Sequence, residues 1–299
     1  MLTRRGFTLV ELLVALVLLG IVTAGIYRVL VNNQRMYQAQ TQRIDLQQNI
    51  RAGATLLPAE LRELDAADGD IVAMAPTSLT VRASRQLAFI CTVPAVGGLV
   101  GSVAPVTMTI RADPFYGLRD FNITTDSVFV YYEGGQGTRS DDGWIRGQLT
   151  SIGAQNCADG SPGRQIVGGF VFGVNQVAQT GRIQNGSPVR GYEIVTYSVY
   201  QAGDGHWYLG YASTSGGGTR QPLIGPLIDA NGVTFQYFTA AGVVTTVPAQ
   251  VAQIRITLRA QTAVPIRTGS GSQRYAKDSI VTTVSLRNNR RWTTTAPGS

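Results

Sequence analysis

Few residues of this chain are equipped for catalysis. Among its 299 residues, His206 is the one histidine and Cys91 and Cys157 are the two cysteines. That excludes multi-histidine metal centres and four-thiolate zinc or iron–sulfur cages. Nothing in the sequence sets a general base beside either cysteine, so a thiolate nucleophile has no support. Asp68-Gly69-Asp70 and Asp141-Asp142-Gly143 offer clustered carboxylates of the kind that calcium takes. Neither continues into an EF-hand loop, and Asp-Gly pairs are ordinary turns, which is the expectation for both. Asp204-Gly205-His206-Trp207-Tyr208 reads in the same way, as a hairpin turn entering an aromatic strand. Gly-x-Ser-x-Gly, P-loop and His-Glu-x-x-His motifs do not occur. The expectation is a protein with no metal, no cofactor and no enzymatic activity.

One ionisable side chain stands where its chemistry is out of place. From Phe7 to Ile26 the chain reads FTLVELLVALVLLGIVTAGI, with Glu11 as its only ionisable residue. About 20 apolar residues rising 1.5 Å each cross a 30 Å hydrocarbon core. A carboxylate within such a span costs roughly 2.5–3.5 kcal/mol on insertion scales, so Glu11 calls for a cation or strong donor. The nearest source is an α-amino terminus made by cutting between Gly6 and Phe7, on this chain or a neighbour. Arg4 and Arg5 precede the span and predict a cytoplasmic N-terminal end. Ala24 and Gly25, followed by Tyr27 and Arg28, make a poor secretory cleavage site, so the span is expected to stay attached.

Arg5-Gly6-Phe7-Thr8-Leu9-Val10-Glu11 resembles the prepilin processing motif of type IV pilins and type II secretion pseudopilins. The resemblance implies that a prepilin peptidase cuts after Gly6 and methylates the new N-terminal Phe7. It implies that Glu11, fifth in the mature chain, docks each subunit into a filament by meeting a neighbour's N-terminus. Major pilins often carry a proline near positions 26–28, and this chain has none there.

Beyond the span, Leu46, Ile50, Ala54, Leu57, Leu61 and Leu64 recur at helical spacing, with Gln and Arg between them, so the helix continues as an amphipathic arm. Pro58 is expected to kink or restart it. After Asp70 the period becomes two. Strands are expected over 78–82, 86–93, 103–110, 127–132, 166–172, 192–201, 206–212, 233–238, 250–260 and 279–287, with long connections at 134–143 and 153–163. The fold class is α+β: a long N-terminal helix packed on a mostly antiparallel, β-rich, pilin-like head. The parts are a cytoplasmic leader (1–6), the helix (7–64, transmembrane over 7–26) and a periplasmic or extracellular head (65–299). Residues 215–219 are the best hinge candidate within the head and read equally as a loop.

With the head in an oxidising compartment, an even cysteine count predicts one Cys91–Cys157 disulfide, the alternative being two free thiols. Such a bridge would close a loop of about 67 residues and stabilise by roughly 4 kcal/mol on loop entropy alone. Toward the C-terminus, Pro222–Phe238, Ala249–Leu258 and Tyr275–Asn288, ending in Leu286-Arg287-Asn288, resemble the tail of PilW-like minor pilins and J-type pseudopilins.

The charge is basic but sparse. Charged residues make up 14% of the chain, against roughly 25% in ordinary domains. All 25 basic residues except Lys277 are arginine, and the formal charge of +7 falls to +5 when Arg4 and Arg5 leave. Arg287, Arg290 and Arg291, followed by Trp292, form a basic cluster with the chemistry to hold DNA phosphates or anionic headgroups; a solvated tail is the plainer reading. The resemblance therefore implies a structural subunit that primes or caps a type IV pilus or a type II secretion pseudopilus. Its partners would be the prepilin peptidase, other minor and major pilins and the inner-membrane assembly platform. An adhesin or DNA-binding tip module is the alternative, and a pilin-anchored enzyme a more distant one.

Overall fold

A computed structural model describes residues 8–93, 104–117, 119–133, 142–170, 183–213, 217–267 and 272–287. One helix, α1 (Leu9–Arg62), carries the whole N-terminal part and spans about 81 Å at 1.5 Å per residue. Residues 8–30 are exposed on every face, from Leu9 at 81% to Ile26 at 65%. Further on, Leu46, Ile50, Leu57 and Leu61 are buried, Ala54 is half-buried, and Leu64 is buried just past the helix end. These are the residues of the apolar stripe.

Pro58 does not restart the helix as expected. The helix runs through it to Arg62, with the proline itself buried. A proline inside a helix costs about 3 kcal/mol. Burying Leu57 and Leu61 on either side returns roughly 1.5–3 kcal/mol each, so packing outweighs the lost hydrogen bond.

The head is antiparallel β, as expected, with α1 against one face. Its strands are β1 (Ile71–Ala75), β2 (Ser78–Thr92), β3 (Ala104–Arg111), β4 (Tyr116–Gly117), β5 (Asp126–Tyr132), β6 (Gly143–Ala154), β7 (Gly163–Phe170) and β8 (Pro188–Gln201). They continue as β9 (Trp207–Ser213), β10 (Gln221–Leu227), β11 (Val233–Phe238), β12 (Gln253–Gln261), β13 (Ile266–Arg267), β14 (Gln273–Arg274) and β15 (Lys277–Ser285). β2 is one strand where two were expected. β6 and β10 were not foreseen, nor were the short β1, β4, β13 and β14.

Two long strands organise this sheet. β2 and β8 pair with each other along most of their lengths. From the far end of β2 the pairing passes through β3, β7, β6 and β5 and returns to β8. Six strands thus close a small barrel. Its interior is filled by Ala88, Ile90, Val106, Met108, Ile110, Val128, Val130, Ile145, Leu149, Ile166 and Val189, the expected solution for a barrel this narrow. Gly147, Gly168 and Gly191 occupy buried positions of β6, β7 and β8. A Cβ on Gly191 would collide with Gln86 Oε1 and lie 2.7 Å from Phe121.

The other halves of β2 and β8 continue with β9, β10, β12, β11 and β15 into an open sheet. There the α1 stripe packs on Leu79, Val81, Val195, Tyr197, Leu209, Ile224, Phe235, Ile254, Ile256 and Leu258. Contact is closest at Gly53, where a Cβ would overlap Ile224 Cδ1 and lie 3.1 Å from Leu258 Cδ1. Asn49 clamps the same place: its amide donates to the Gly225 carbonyl and its Oδ1 accepts the Gly225 N–H at 3.4 Å.

Cys91 at the end of β2 and Cys157 beyond β6 are bonded as a disulfide, with their Cα atoms 5.5 Å apart. The bridge ties the end of β2 to the β6–β7 connection, and β2 and β6 are not hydrogen-bonded neighbours.

Candidate functional site

The first turn of α1 is built around Thr8 and Glu11. Thr8 is in extended conformation and caps the helix. Its Oγ1 accepts the Glu11 N–H at 3.3 Å, while Glu11 Oε2 receives the Thr8 hydroxyl at 3.4 Å and the Thr8 N–H at 3.5 Å. This reciprocal pattern is a capping box. It turns the carboxylate toward the N-terminal end of the helix, where unpaired N–H groups and the helix dipole favour negative charge. The bonds it makes there are long. Charge-assisted bonds run about 2.7–2.9 Å, so a cation would hold this carboxylate more strongly than Thr8 does.

Around Glu11 the helix offers only apolar side chains, all exposed. Thr23 turns its hydroxyl onto the Leu19 carbonyl at 2.7 Å, which removes the one other polar side chain between Leu12 and Ile26 from competition. Among the described residues, α1 is the one helix long and apolar enough to cross a membrane.

A second cluster, missed in the sequence, joins the far end of α1 to the head. Arg85 is the odd residue of a bulge in β2, where pairing to β8 slips between Ser84 and Gln86. The slip places Arg85 and Gln86 side by side on the buried face, between the helix-facing core and the barrel core. Arg85 Nε donates to Glu193 at 3.2 Å, its Nη1 meets Glu60 of α1 at 3.2 Å, and its Nη2 donates to the Tyr211 hydroxyl at 3.1 Å. Burial works against the Arg85 charge, but Glu60, Tyr211 and Glu193 outweigh it and hold the guanidinium above its ordinary pKa. Arg119 forks onto Asp126 at 2.6 and 2.7 Å and reaches Glu193 at 3.4 Å. The signal for this cluster was the break in alternation at Ser84-Arg85-Gln86, which reads as a strand end until the bulge is seen.

The remaining candidates fall into place individually. Asp70 is buried, accepts the Asp65 N–H and pairs with Arg190 at 2.8 Å. Gly69 before it takes φ +81° to make the turn. Asp204 accepts the His206 N–H and the Tyr208 hydroxyl within the β8–β9 turn, and the His206 imidazole makes no hydrogen bond among the described residues. Asp142 accepts the Tyr131 hydroxyl at 2.6 Å. Arg287 lies 3.7 Å from Glu63, and its N–H donates to the Arg62 carbonyl, so part of its charge is already answered. Gly6, Phe7, Arg290, Arg291 and Asp141 lie outside the described residues.

Comparison with known families matches residues 1–27 to the prokaryotic N-terminal methylation motif. The match covers the basic leader, the Gly6–Phe7 junction, Glu11 and the apolar half of α1, and it supports processing by a prepilin peptidase and membrane anchoring. Comparisons with curated proteins and with solved structures give no match.

Proposed function

We propose that this chain is a minor pilin or pseudopilin, a non-enzymatic subunit that primes or caps a type IV pilus or a type II secretion pseudopilus. The observation that carries this reading is the helix start. A methylation motif leads into a helix whose first part, to Ile26, is apolar on every face and broken by one carboxylate, and that carboxylate is aimed at the helix N-terminus on weak bonds. In the mature chain Phe7 supplies the cationic amine. In the membrane the α1 anchor waits with Glu11 satisfied by Thr8. In a bundle of such helices a neighbour's amine replaces Thr8, and a charge pair in low dielectric is strong enough to select register. The 65–299 head is large for a repeating subunit and fits the end of a filament, outside the cytoplasm.

The test compares the native chain with Glu11→Val and Glu11→Gln in cells that assemble the filament. Both variants are expected to insert in the membrane and to lose Phe7's leader normally, and both are expected to be depleted from sheared filaments at least tenfold. Equal incorporation of Glu11→Val would remove the basis for this function.

A further inference from the structure

The open sheet ends on a bare edge. β15 lies antiparallel to β12 in unbroken register, from Gln253 opposite Ser285 to Gln261 opposite Lys277. Just beyond the two ends of β15, even-numbered residues address the β12 side. The Ala276 carbonyl accepts the Thr262 N–H, and the Leu286 N–H donates to the Ala252 carbonyl. Backbone groups alternate sides along a strand, so Ser279, Val281, Thr283 and Ser285 turn theirs away from β12. Arg287, next in that odd series, sends its N–H outward to the Arg62 carbonyl at the end of α1.

Between these limits the outer edge is unanswered. The Ser279 N–H is held by the Asp278 carboxylate at 2.8 Å. The N–H groups of Val281, Thr283 and Ser285, and the carbonyls of all four residues, have no partner among the described residues. This stretch is about 20 Å long, and Val281 within it is 59% exposed. Residues 279–285 include no proline and no charge, the devices by which natural edges turn away a further strand. The ends of the strand order are better protected. On β11 the Phe235 N–H donates to the Pro76 carbonyl and the Tyr237 carbonyl accepts the Thr245 N–H. β1, at the other end, is five residues long with a break in its register.

We propose that the outer edge of β15 is a docking site for an extended strand of a different polypeptide, which adds to the sheet antiparallel along Ser279–Ser285. The recognising chemistry is the row of unpaired backbone groups, which an extended backbone alone can match along its length. The occupant is a segment of about seven residues, uncharged and β-branched where it faces Val281, with no proline at the positions that bond.

A second copy does not fit this edge. α1 and β15 run in the same direction, since Lys277 lies beside Arg43 and Gln47 and Arg287 meets Arg62. Antiparallel pairing of two β15 edges would therefore turn one α1 end for end, and both spans could not enter one membrane. A twofold axis along the strands would keep both spans together but set each N–H opposite its own copy. A head-to-tail copy would have to offer β11 or β1. The proposal uses the direction of the span but neither Glu11 nor the filament, so it fails separately from the proposed function.

The test uses the full chain in detergent micelles and, as probe, a nine-residue peptide with the sequence of β12, Gln253–Gln261, which already matches β15 through its inner edge. Amide hydrogen exchange is followed residue by residue. At millimolar peptide, exchange of Val281, Thr283 and Ser285 is expected to slow roughly tenfold or more, with Thr282 and Val284 unchanged. Val281→Pro removes an outward donor and no bond of the sheet, so it is expected to keep its melting temperature and lose the protection. The same peptide methylated at every backbone nitrogen is expected to give none, which tests the backbone row without altering the protein. Unchanged exchange of the native chain at saturating peptide overturns the proposal, and so does equal protection by the methylated peptide. Slow exchange of the three amides without peptide also overturns it: in a dimer the occupant would be a second copy, and in a monomer the chain itself.

Discussion

Glu60, in the last turn of α1, receives the Arg85 guanidinium from the bulge of β2, with Nη1 3.2 Å from its carboxylate oxygens. The anchor helix is thus joined to the seam between the two cores of the head by charge as well as by apolar packing. Glu193 of β8 shares the same arginine, so one side chain couples the helix to both long strands.

Arg85→Met should therefore be costly. The side chains of Arg85 and Glu193 are 8% and 10% exposed and that of Glu60 is 26% exposed. Removing the cation leaves Glu60 with the Tyr197 hydroxyl and Glu193 with the longer Arg119 contact, each at 3.4 Å, a loss of about 3 kcal/mol. Glu60→Gln should cost less, because Arg85 keeps Glu193. Denaturant unfolding of the full chain in micelles gives both values, and equal losses would argue against Arg85 as the hub.

Asp126 gives the head an acid-sensitive element. Burial raises its pKa, but the Arg119 fork, the Asn122 N–H and Gln86 outweigh this and hold it below the ordinary carboxylate value. A depressed folded pKa means stabilisation that is complete above the unfolded value, about 3.9, and lost as pH falls through the folded one. The native chain should lose stability more steeply than Asp126→Asn below about pH 4. Parallel pH profiles of the denaturation midpoint would count against this account.

Gly53→Leu tests the contact between arm and sheet. The added side chain has to enter space held by Ile224 and Leu258, and overpacking of this kind costs about 1–3 kcal/mol. That exceeds the gain of up to about 1 kcal/mol in helix propensity. Ile224→Ala in the same chain should recover part of the loss, which a thermal melt would detect. A stabilised Gly53→Leu protein would mean the helix does not lie this close.

Replacing both cysteines by alanine should lower stability by roughly 4 kcal/mol, on the loop-entropy argument. Reductant should reproduce the change in the native chain and leave the variant unaffected. A native melt insensitive to reductant would contradict the bridge.

Much of the architecture was legible because it is written in contiguous residues. The stripe from Leu46 to Leu64 gave the buried face of α1, and alternation gave β11 to the residue. β6 was hidden because Gly147 stands at a buried position of the strand, where the missing side chain erases the period-two signal. β10 was hidden by Pro222 and Pro226. β2 was read as two strands because the Arg85 bulge shifts its phase by one residue. In the candidate site, Glu11 and the Gly6–Phe7 junction were visible at once, since a carboxylate among apolar residues needs no fold to be anomalous. The cleft that Arg35 and Arg267 line together was invisible, because the two are far apart in sequence.

The sequence by itself determined the processing motif, the apolar span with its single carboxylate, the amphipathic arm and the β character of the head. Each depends on composition or periodicity over a few turns or a single strand. Only the tertiary structure decided that six strands close into a barrel, that Arg85 meets Glu193 across 108 positions of chain, and that Arg35 of the arm and Arg267 of β13 line one cleft. These arrangements come from long-range pairing, in which many small packing and hydrogen-bonding terms are summed over the whole chain, and no local pattern of residues records the sum.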